Sequence, residues 1–221
     1  MQNNRRSFLK QSFWTGLGIA NVRGSTGFPT GDFLADGHRD NWPGQRFNMS
    51  GYAAPKLDTV RVGFIGLGMR GPTHVKNLAM LEGVEIKALC DVRADKALAA
   101  KKLLEGSKHD PVIYSGSPDD WKKLCGQKDI DIVYIASPWD MHTPMAVYAM
   151  EQGKHAFVEV PAATTLDECW QLVETSERTK KHCMMLENCC YDFFELLTLN
   201  MARQGFFGEI VHAEGAYIHN L

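Results

Sequence analysis

A glycine-rich segment has the residue types and the spacing of a phosphate-binding turn. Gly66, Gly68 and Gly71 form a G-x-G-x-x-G pattern between a short apolar run and a predicted helix. Gly66 permits a tight turn, Gly68 lets a pyrophosphate approach the backbone without a Cβ in its path, and Gly71 lets helix and strand pack closely. The start of the helix offers unpaired N–H groups and the positive end of its dipole. The segment therefore predicts a dinucleotide site.

An acidic residue follows these glycines at the distance that a dinucleotide site requires. Asp91 ends the next apolar run, about 20 residues after Gly71. Its carboxylate is expected to accept hydrogen bonds from the adenosine ribose and to repel a 2′-phosphate, which favours NAD over NADP. Arg93 leaves NADP open, because an arginine nearby can accommodate that phosphate.

The elements that position these residues alternate regularly from Val60 onward. Short apolar runs suited to buried parallel strands alternate with stretches of helical composition. Repeated β-α-β units predict an α/β fold, a Rossmann-type doubly wound parallel sheet with right-handed crossovers. The predicted strands are 60–66, 84–90, 130–136, 155–158 and 183–186, and the predicted helices are 72–81, 94–105, 141–152, 166–180 and 193–204.

The last residues predict the beginning of a second domain. Residues 211–218 have the composition of a further strand, and the sequence ends at Leu221. Because a lone strand cannot satisfy its own backbone, we expect a truncated α+β substrate-binding domain over 188–221, after a dinucleotide-binding domain over 57–187.

The first residues resemble an address for export. Arg5 and Arg6, followed by Phe-Leu-Lys and a moderately apolar stretch, are similar to a twin-arginine signal. We expect this signal to cover residues 1–23 and a linker rich in Gly, Pro, Asp and Asn to cover 24–56. The protein is then expected to be periplasmic or otherwise exported, and to leave the cytoplasm folded with its cofactor.

Composition excludes several classes of partner. The formal net charge of −2 gives no reason to expect nucleic acid, and 44% hydrophobic residues are ordinary for a globular protein with a sizeable core. No apolar run reaches the roughly 18 residues that a membrane span needs. The six cysteines show neither a C-x-x-C pair nor zinc-site spacing, so no metal site is predicted and most are expected to be buried.

Later motifs resemble the glucose-fructose oxidoreductase and inositol dehydrogenase superfamily. Residues 136–142 read Ala-Ser-Pro-Trp-Asp-Met-His, and Glu159-Val160-Pro161 follow the next predicted strand. The superfamily has a Glu-Lys-Pro motif there, whose lysine lies at the substrate, whereas this sequence has Val160. Since valine cannot take up a proton from an alcohol, Val160 argues against an ordinary dehydrogenase.

The same departure matches glycoside hydrolase family 109, which the sequence resembles over residues 61–221. Segments 64–71, 159–163, 185–194 and 215–220 are similar to that family. The resemblance implies hydrolysis of terminal α-N-acetylgalactosaminides. Hydride passes from sugar C3 to a retained NAD, elimination at C1 and addition of water follow, and the hydride returns, so the net reaction is not a redox reaction. The implied partners are N-acetylgalactosamine-terminated glycans, and a homo-oligomer stays open.

The resemblance also implies where the cofactor and the sugar bind. Met69 and Arg70 would lie along the dinucleotide, Asn188 would hydrogen-bond its nicotinamide end, and Tyr217 would contact the sugar. Six further residues would line the nicotinamide end: Trp139, Asp140, Met141, His142, Glu159 and Val160. The family's remaining sugar-binding residues would lie beyond Leu221, and no catalytic acid or base is assigned.

Composition alone leaves other roles open for three of these residues. Trp139 could be a surface-loop aromatic, His142 a polar residue at a helix start, and Tyr217 part of a half-buried strand. Two other functions also stay open. One is an NAD(P)-dependent sugar oxidoreductase, which would release NADH in the steady state. The other is a non-catalytic dinucleotide-binding protein or an inactive N-terminal fragment, and the 221-residue chain by itself is expected to be inactive.

Overall fold

Six parallel strands form one sheet through the middle of the protein. The computed structural model describes residues 47–216, so the predicted signal, most of the predicted linker and Tyr217 lie outside the described residues. The strands follow the order β3-β2-β1-β4-β5-β6, and each neighbouring pair is parallel. Their bounds are β1 Val60–Ile65, β2 Val84–Cys90, β3 Val112–Tyr114, β4 Ile132–Ile135, β5 His155–Val158 and β6 Cys183–Met185. The strand order reverses between β1 and β4, which confirms the predicted doubly wound sheet.

Helices cover both faces of this sheet. They are α1 Gly71–Ala79, α2 Ala94–Lys102, α3 Asp120–Cys125, α4 His142–Glu151, α5 Leu166–Thr179 and α6 Phe193–Arg203, with 3₁₀ turns at Trp139–Met141 and Cys189–Tyr191. On one face, Phe64 packs in a core with Val75 of α1 and Ala97 of α2. On the other, Ile65 packs in a core with α3, α4 and α5. None of the helices between residues 47 and 216 is both long and apolar enough to cross a membrane.

Most element boundaries lie within a few residues of their predictions, and the differences have local causes. Helix α5 ends at Thr179 because Lys180 takes the left-handed conformation, with φ of 54°, and donates its N–H to Ser176. Helix α2 ends at Lys102, and Gly106 follows with φ of 78°. Strand β3 and helix α3 were missed, because three and six residues are too few to show a periodicity.

The strand predicted at 211–218 is wrong over its described part. Residues 211–216 have no regular secondary structure and are exposed. A strand requires hydrogen bonds to a neighbouring strand, and residues 211–216 pair with none of the six strands in the part of the chain that the structure describes. Helix α6 is likewise exposed or half-buried at every residue. The division into a domain over 57–187 and a second domain from 188 stays a prediction.

Candidate functional site

The turn between β1 and α1 depends on backbone contacts that only glycine permits. Gly66 has φ of 88°, and a Cβ there would lie 2.7 Å from the backbone nitrogen of Ser137. A Cβ on Gly71 would collide with the carbonyl oxygen of Gly66. These two glycines therefore let the turn press against the end of β4 and let α1 start close to β1, as the sequence predicted.

Gly68 is different, because its surroundings are open. A Cβ there would meet no atom of the described residues within 4 Å. The helix that follows has Pro72 in its first turn, no side-chain cap and no acidic residue in that turn. Pro72 has no N–H, and Thr73 and His74 donate theirs to the carbonyl of Arg70, so the positive dipole end is the feature of this helix start that favours an anion. The turn thus fits a dinucleotide pyrophosphate, with Gly68 at the surface the phosphates would approach.

Asp91 supports this turn in a way that sequence reasoning missed. Its Oδ2 accepts a hydrogen bond of 2.7 Å from the N–H of Leu67, and its Oδ1 accepts one of 2.9 Å from the N–H of Arg93. Each carboxylate oxygen can accept a further bond, so contact with a ribose hydroxyl stays open. The same carboxylate is therefore placed both to hold the glycine turn and to meet a ribose.

The guanidinium of Arg93 is already paired. Its Nη2 and Nε lie 2.7 and 3.2 Å from the two carboxylate oxygens of Asp95. The hydrogen bond from Arg93 is the main cause that lowers the pKa of Asp95. Because Asp95 neutralises this arginine, the structure weakens the sequence-based case for a 2′-phosphate site at Arg93.

The loops that follow β4 and β5 are joined by the first two residues of α4. The ring nitrogens of His142 lie 2.7 Å from the carbonyl oxygen of Pro161 and 2.8 Å from that of Ser137. Thr143 donates its hydroxyl to the carbonyl oxygen of Ala162 over 3.1 Å. The His142 side chain is only 1% exposed. It therefore connects the two loops from a buried position instead of facing open solvent. Its position in the sequence did not reveal this role.

The other predicted cofactor residues also follow strands of the sheet. Because parallel strands end at the same edge, this topology brings their loops to one side of the molecule. Trp139 is 64% exposed, whereas Met141 is half-buried and packs against the core. Exposed residues of the set are Met69, Arg70, Asp140, Val160 and Asn188. Tyr217 lies outside the described residues, so its predicted sugar contact stays a prediction.

Glu159 makes a contact that connects this edge to α1. Its Oε1 lies 2.5 Å from Nε2 of His74, and the two side chains are only 12% and 17% exposed. The His74 ring also packs on Tyr134, with centroids 4.9 Å apart. Burial, followed by the charge of Glu159, raises the pKa of the Tyr134 hydroxyl. Sequence reasoning named Glu159 but neither His74 nor Tyr134, because no local pattern connects residues on different elements.

The cysteines give no sign of chemistry at this site. Burial raises the pKa of the Cys90 and Cys125 thiols to about 12, and that of the half-buried Cys183 thiol to about 11. The other three cysteines are exposed, so the expectation that most would be buried is wrong. All six are free thiols. Within residues 47–216, no group of three or more His, Cys, Asp or Glu side chains could hold a metal ion.

Comparison with known proteins places this geometry among NAD-binding folds. Residues 60–187 match the oxidoreductase family with the NAD-binding Rossmann fold. The chain superposes on scyllo-inositol dehydrogenase from Lactobacillus casei, solved with NAD(H) and scyllo-inositol, with a TM-score of 0.59. The two are 24% identical, and the match covers 68% of this chain and 43% of that one, which shows a shared fold.

Similarity in sequence is greater to a group of glycosidases. Glycosyl hydrolase family 109 protein 1 of Phocaeicola vulgatus is 61% identical over 168 residues, which are 76% of this chain and 36% of that protein. A Bacteroides fragilis protein named alpha-N-acetylgalactosaminidase is 58% identical over 172 residues, covering 77% of this chain and 40% of that protein. The chain thus spans about two fifths of the length of these relatives.

Proposed function

The chain belongs to the oxidoreductase family with the NAD-binding Rossmann fold and, within it, to glycosyl hydrolase family 109, and we propose that the whole protein hydrolyses terminal α-N-acetylgalactosaminides with a retained NAD. The identity of 58% with a protein named alpha-N-acetylgalactosaminidase supports the substrate. The open backbone at Gly68, at the uncapped start of α1, is the structural observation that supports the cofactor.

The residues of this chain have defined tasks in the proposal. The glycine turn and the N-terminus of α1 bind the pyrophosphate, and the Asp91 carboxylate accepts from the ribose while it holds the N–H of Leu67. When bound, the nicotinamide supplies reversible acceptance of hydride. The buried His142 and Thr143 orient the loops at the reacting end by joining them to each other.

Val160 separates a glycosidase from an ordinary dehydrogenase in this proposal. Its side chain is exposed at the end of β5, one residue after Glu159, where it can pack against a ligand but cannot exchange a proton. A dehydrogenase that oxidises an alcohol needs a base near the reacting hydroxyl. An NAD(P)-dependent sugar oxidoreductase is therefore the second candidate, and the assay below distinguishes the two.

The place of action is a separate part of the proposal. The twin-arginine-like opening at Arg5 and Arg6 supports export of the folded, NAD-loaded protein to the periplasm. Expression in a host with and without that export route, followed by fractionation, tests this. Replacement of both arginines by lysine should retain the protein inside the cell.

The function is tested on the full-length protein, purified without added NAD. The substrate is p-nitrophenyl α-N-acetylgalactosaminide, and nitrophenol, protein-bound NAD and free NADH are followed together. We expect nitrophenol release with bound NAD and no net NADH. Accumulation of NADH from simple sugars without nitrophenol would replace the proposal by the oxidoreductase. If neither nitrophenol nor NADH is formed, the protein binds a dinucleotide but does not catalyse this reaction.

A further inference from the structure

His74 lies on α1, the helix that follows the glycine turn and is called the dinucleotide helix below. Its imidazole contacts the loop after β5. His74 is one turn beyond Gly71, the first residue of α1, whereas Glu159 follows β5. The two side chains meet with Nε2 and Oε1 2.5 Å apart. Over the described residues, no other ion pair or hydrogen bond joins α1 to the loop after β5. This single contact therefore bridges the predicted phosphate end and the predicted reacting end of the site.

The position of the imidazole is fixed from its other side. Its ring packs on Tyr134 with centroids 4.9 Å apart, and Tyr134 stacks on Phe64 of β1 with centroids 5.0 Å apart. Tyr134 and Phe64 belong to the buried core. The ring of His74 thus rests on Tyr134 of β4, and Phe64 of β1 in turn supports Tyr134, which limits the freedom of His74 to leave Glu159.

Glu159 in turn needs this neighbour. Its carboxylate is 12% exposed, and its other oxygen accepts only a long bond of 3.3 Å from the N–H of Val160. A mostly buried carboxylate is costly unless a donor compensates for the lost water. On the histidine side, Nε2 is fully buried, and no group in the described part of the chain forms a well-angled hydrogen bond with it. The Glu159 carboxylate and Nε2 of His74 are therefore polar neighbours inside a mostly buried contact.

The backbone around Glu159 shows what the contact would position. The N–H of Glu159 donates to Ile135 at the end of β4, and the carbonyl of Pro161 lies beside His142. The Glu159-Val160-Pro161 turn is thus held at one end by the backbone of Ile135 and at the other by the side chain of His142, and the side chain of His74 adds a third contact. The turn cannot shift relative to α1 without losing the His74 contact.

We propose that His74 is a positioning residue, which holds the Glu159 carboxylate and so keeps the Glu159-Val160-Pro161 turn in register with the dinucleotide helix. This inference rests on the proposed function only because it requires a dinucleotide to bind at the carboxyl ends of the strands. The nicotinamide half of NAD then meets a turn that is already placed. The adenosine and pyrophosphate half, held by the glycine turn and Asp91, does not depend on His74.

The test compares two ligands on the full-length protein stripped of nucleotide. Calorimetric titration gives Kd for NAD and for ADP-ribose, which lacks the nicotinamide ring. In His74→Phe, which keeps a ring against Tyr134 but has no nitrogen, the mostly buried carboxylate of Glu159 loses its polar neighbour. Kd for NAD should then rise about tenfold, the size expected when a buried polar group loses its partner. Kd for ADP-ribose should change less than about twofold. Glu159→Leu should show the same selectivity, and the double variant should be no weaker than Glu159→Leu alone.

A matched pair of amides separates positioning from packing. The amide nitrogen of His74→Gln can take the place of Nε2 and should keep NAD affinity, whereas the shorter His74→Asn should behave like His74→Phe. Unfolding midpoints show whether each variant folds. Equal losses for NAD and ADP-ribose, or equal behaviour of the Gln and Asn variants, would overturn the proposal. So would a wild-type protein that binds neither ligand. A wild-type protein that binds NAD but releases no nitrophenol would instead sink the proposed function alone.

Discussion

Three glycines of one motif have two different physical reasons to be glycine. Gly66 and Gly71 are required by the protein itself, because a Cβ on either would overlap backbone atoms. Gly68 has open space around its Cα in the described part of the chain, so packing within the protein does not explain its identity. A ligand that approaches its backbone does. The motif thus separates into two structural positions and one predicted binding position.

This difference predicts opposite outcomes for two alanine variants. Gly68→Ala should keep the free energy of unfolding within about 0.5 kcal/mol and weaken NAD binding about tenfold or more, because the new methyl occupies the path of the pyrophosphate. Gly66→Ala should lose about 1–3 kcal/mol or more of stability, since its φ of 88° and its contact with Ala136 both oppose a side chain. Urea unfolding and NAD titration measure the two effects.

Gly126→Ala is the matched control for Gly68→Ala. Gly126 follows α3 with an ordinary φ of −76°, and a Cβ there would make only van der Waals contacts at 3.5 Å. We expect it to change neither stability nor NAD affinity. Unchanged NAD affinity in Gly68→Ala would mean that the dinucleotide does not lie against this turn.

At the scale of elements, the contact between the start of β5 and the residue before β6 depends on a histidine that must stay neutral. His155 begins β5, and its Nδ1 accepts a hydrogen bond of 2.9 Å from the N–H of His182, just before β6. The two imidazoles stack with centroids 5.2 Å apart. Burial, followed by the charges of Lys181 and His182, lowers the pKa of His155 to about 4. Asp131 opposes this shift only in part.

The lowered pKa of His155 predicts loss of stability in mild acid. The unfolded chain takes up this proton near the ordinary pKa of 6.5, whereas the folded protein takes it up only near about 4. The unfolded state therefore binds more protons over that range, and the free energy of unfolding should fall as pH drops from 6.5 towards 4. His155→Asn keeps an acceptor for the N–H of His182 but cannot titrate, so it should flatten this fall.

Urea midpoints at several pH values across this window provide the measurement. The control is His212→Asn, because His212 is exposed and pairs with the exposed Glu214. It should leave the pH dependence as in the wild type. A His155→Asn variant with the wild-type slope would show that His155 does not carry this pH dependence.

For the whole molecule, the parallel sheet brings the predicted binding groups to the carboxyl ends of its strands, whereas a structural contact lies at the amino ends. The turn after β1, Asp91 after β2, and the loops after β4 and β5 all follow the carboxyl ends of strands. At the amino ends, Arg61 and Asp131 form a pair of charged hydrogen bonds of 2.9 and 2.6 Å. A ligand held by several of these loops at once would stabilise the folded state as a whole.

NAD should therefore raise the thermal unfolding temperature more than NADP does. At a concentration of about 100 times Kd, a ligand specific for the folded state adds about 2.7 kcal/mol. NADP should add less, because its 2′-phosphate would meet the Asp91 carboxylate and an arginine already paired with Asp95. Thermal scans with each nucleotide at equal concentration measure the difference.

The pairing of Arg93 supplies the matched variants. Asp95→Asn frees the guanidinium and should narrow the difference between NAD and NADP. Asp110→Asn removes another exposed carboxylate, paired with Lys101 away from the site, and should leave the difference unchanged. An equal shift with both nucleotides in the wild type would contradict the assigned role of Asp91.

The sequence by itself determined what depends on local pattern. Short apolar runs alternating with helical stretches predicted five of the six described strands and a doubly wound parallel sheet, because strands buried on both faces are continuously apolar. The G-x-G-x-x-G spacing predicted a tight turn at Gly66, and Gly66 has a positive φ in the structure. It also predicted Asp91 at the end of β2.

Only the tertiary structure decided which side chains meet. His74 and Glu159, or His142 and Pro161, are far apart in sequence and come together because β1, β4 and β5 are neighbours in the sheet. Strand β3 forms because it pairs with β2, whereas residues 211–216 have strand-like composition but pair with no strand in the described part of the chain. Hydrogen bonds between strands and contacts between loops depend on the whole arrangement, so composition alone cannot specify them.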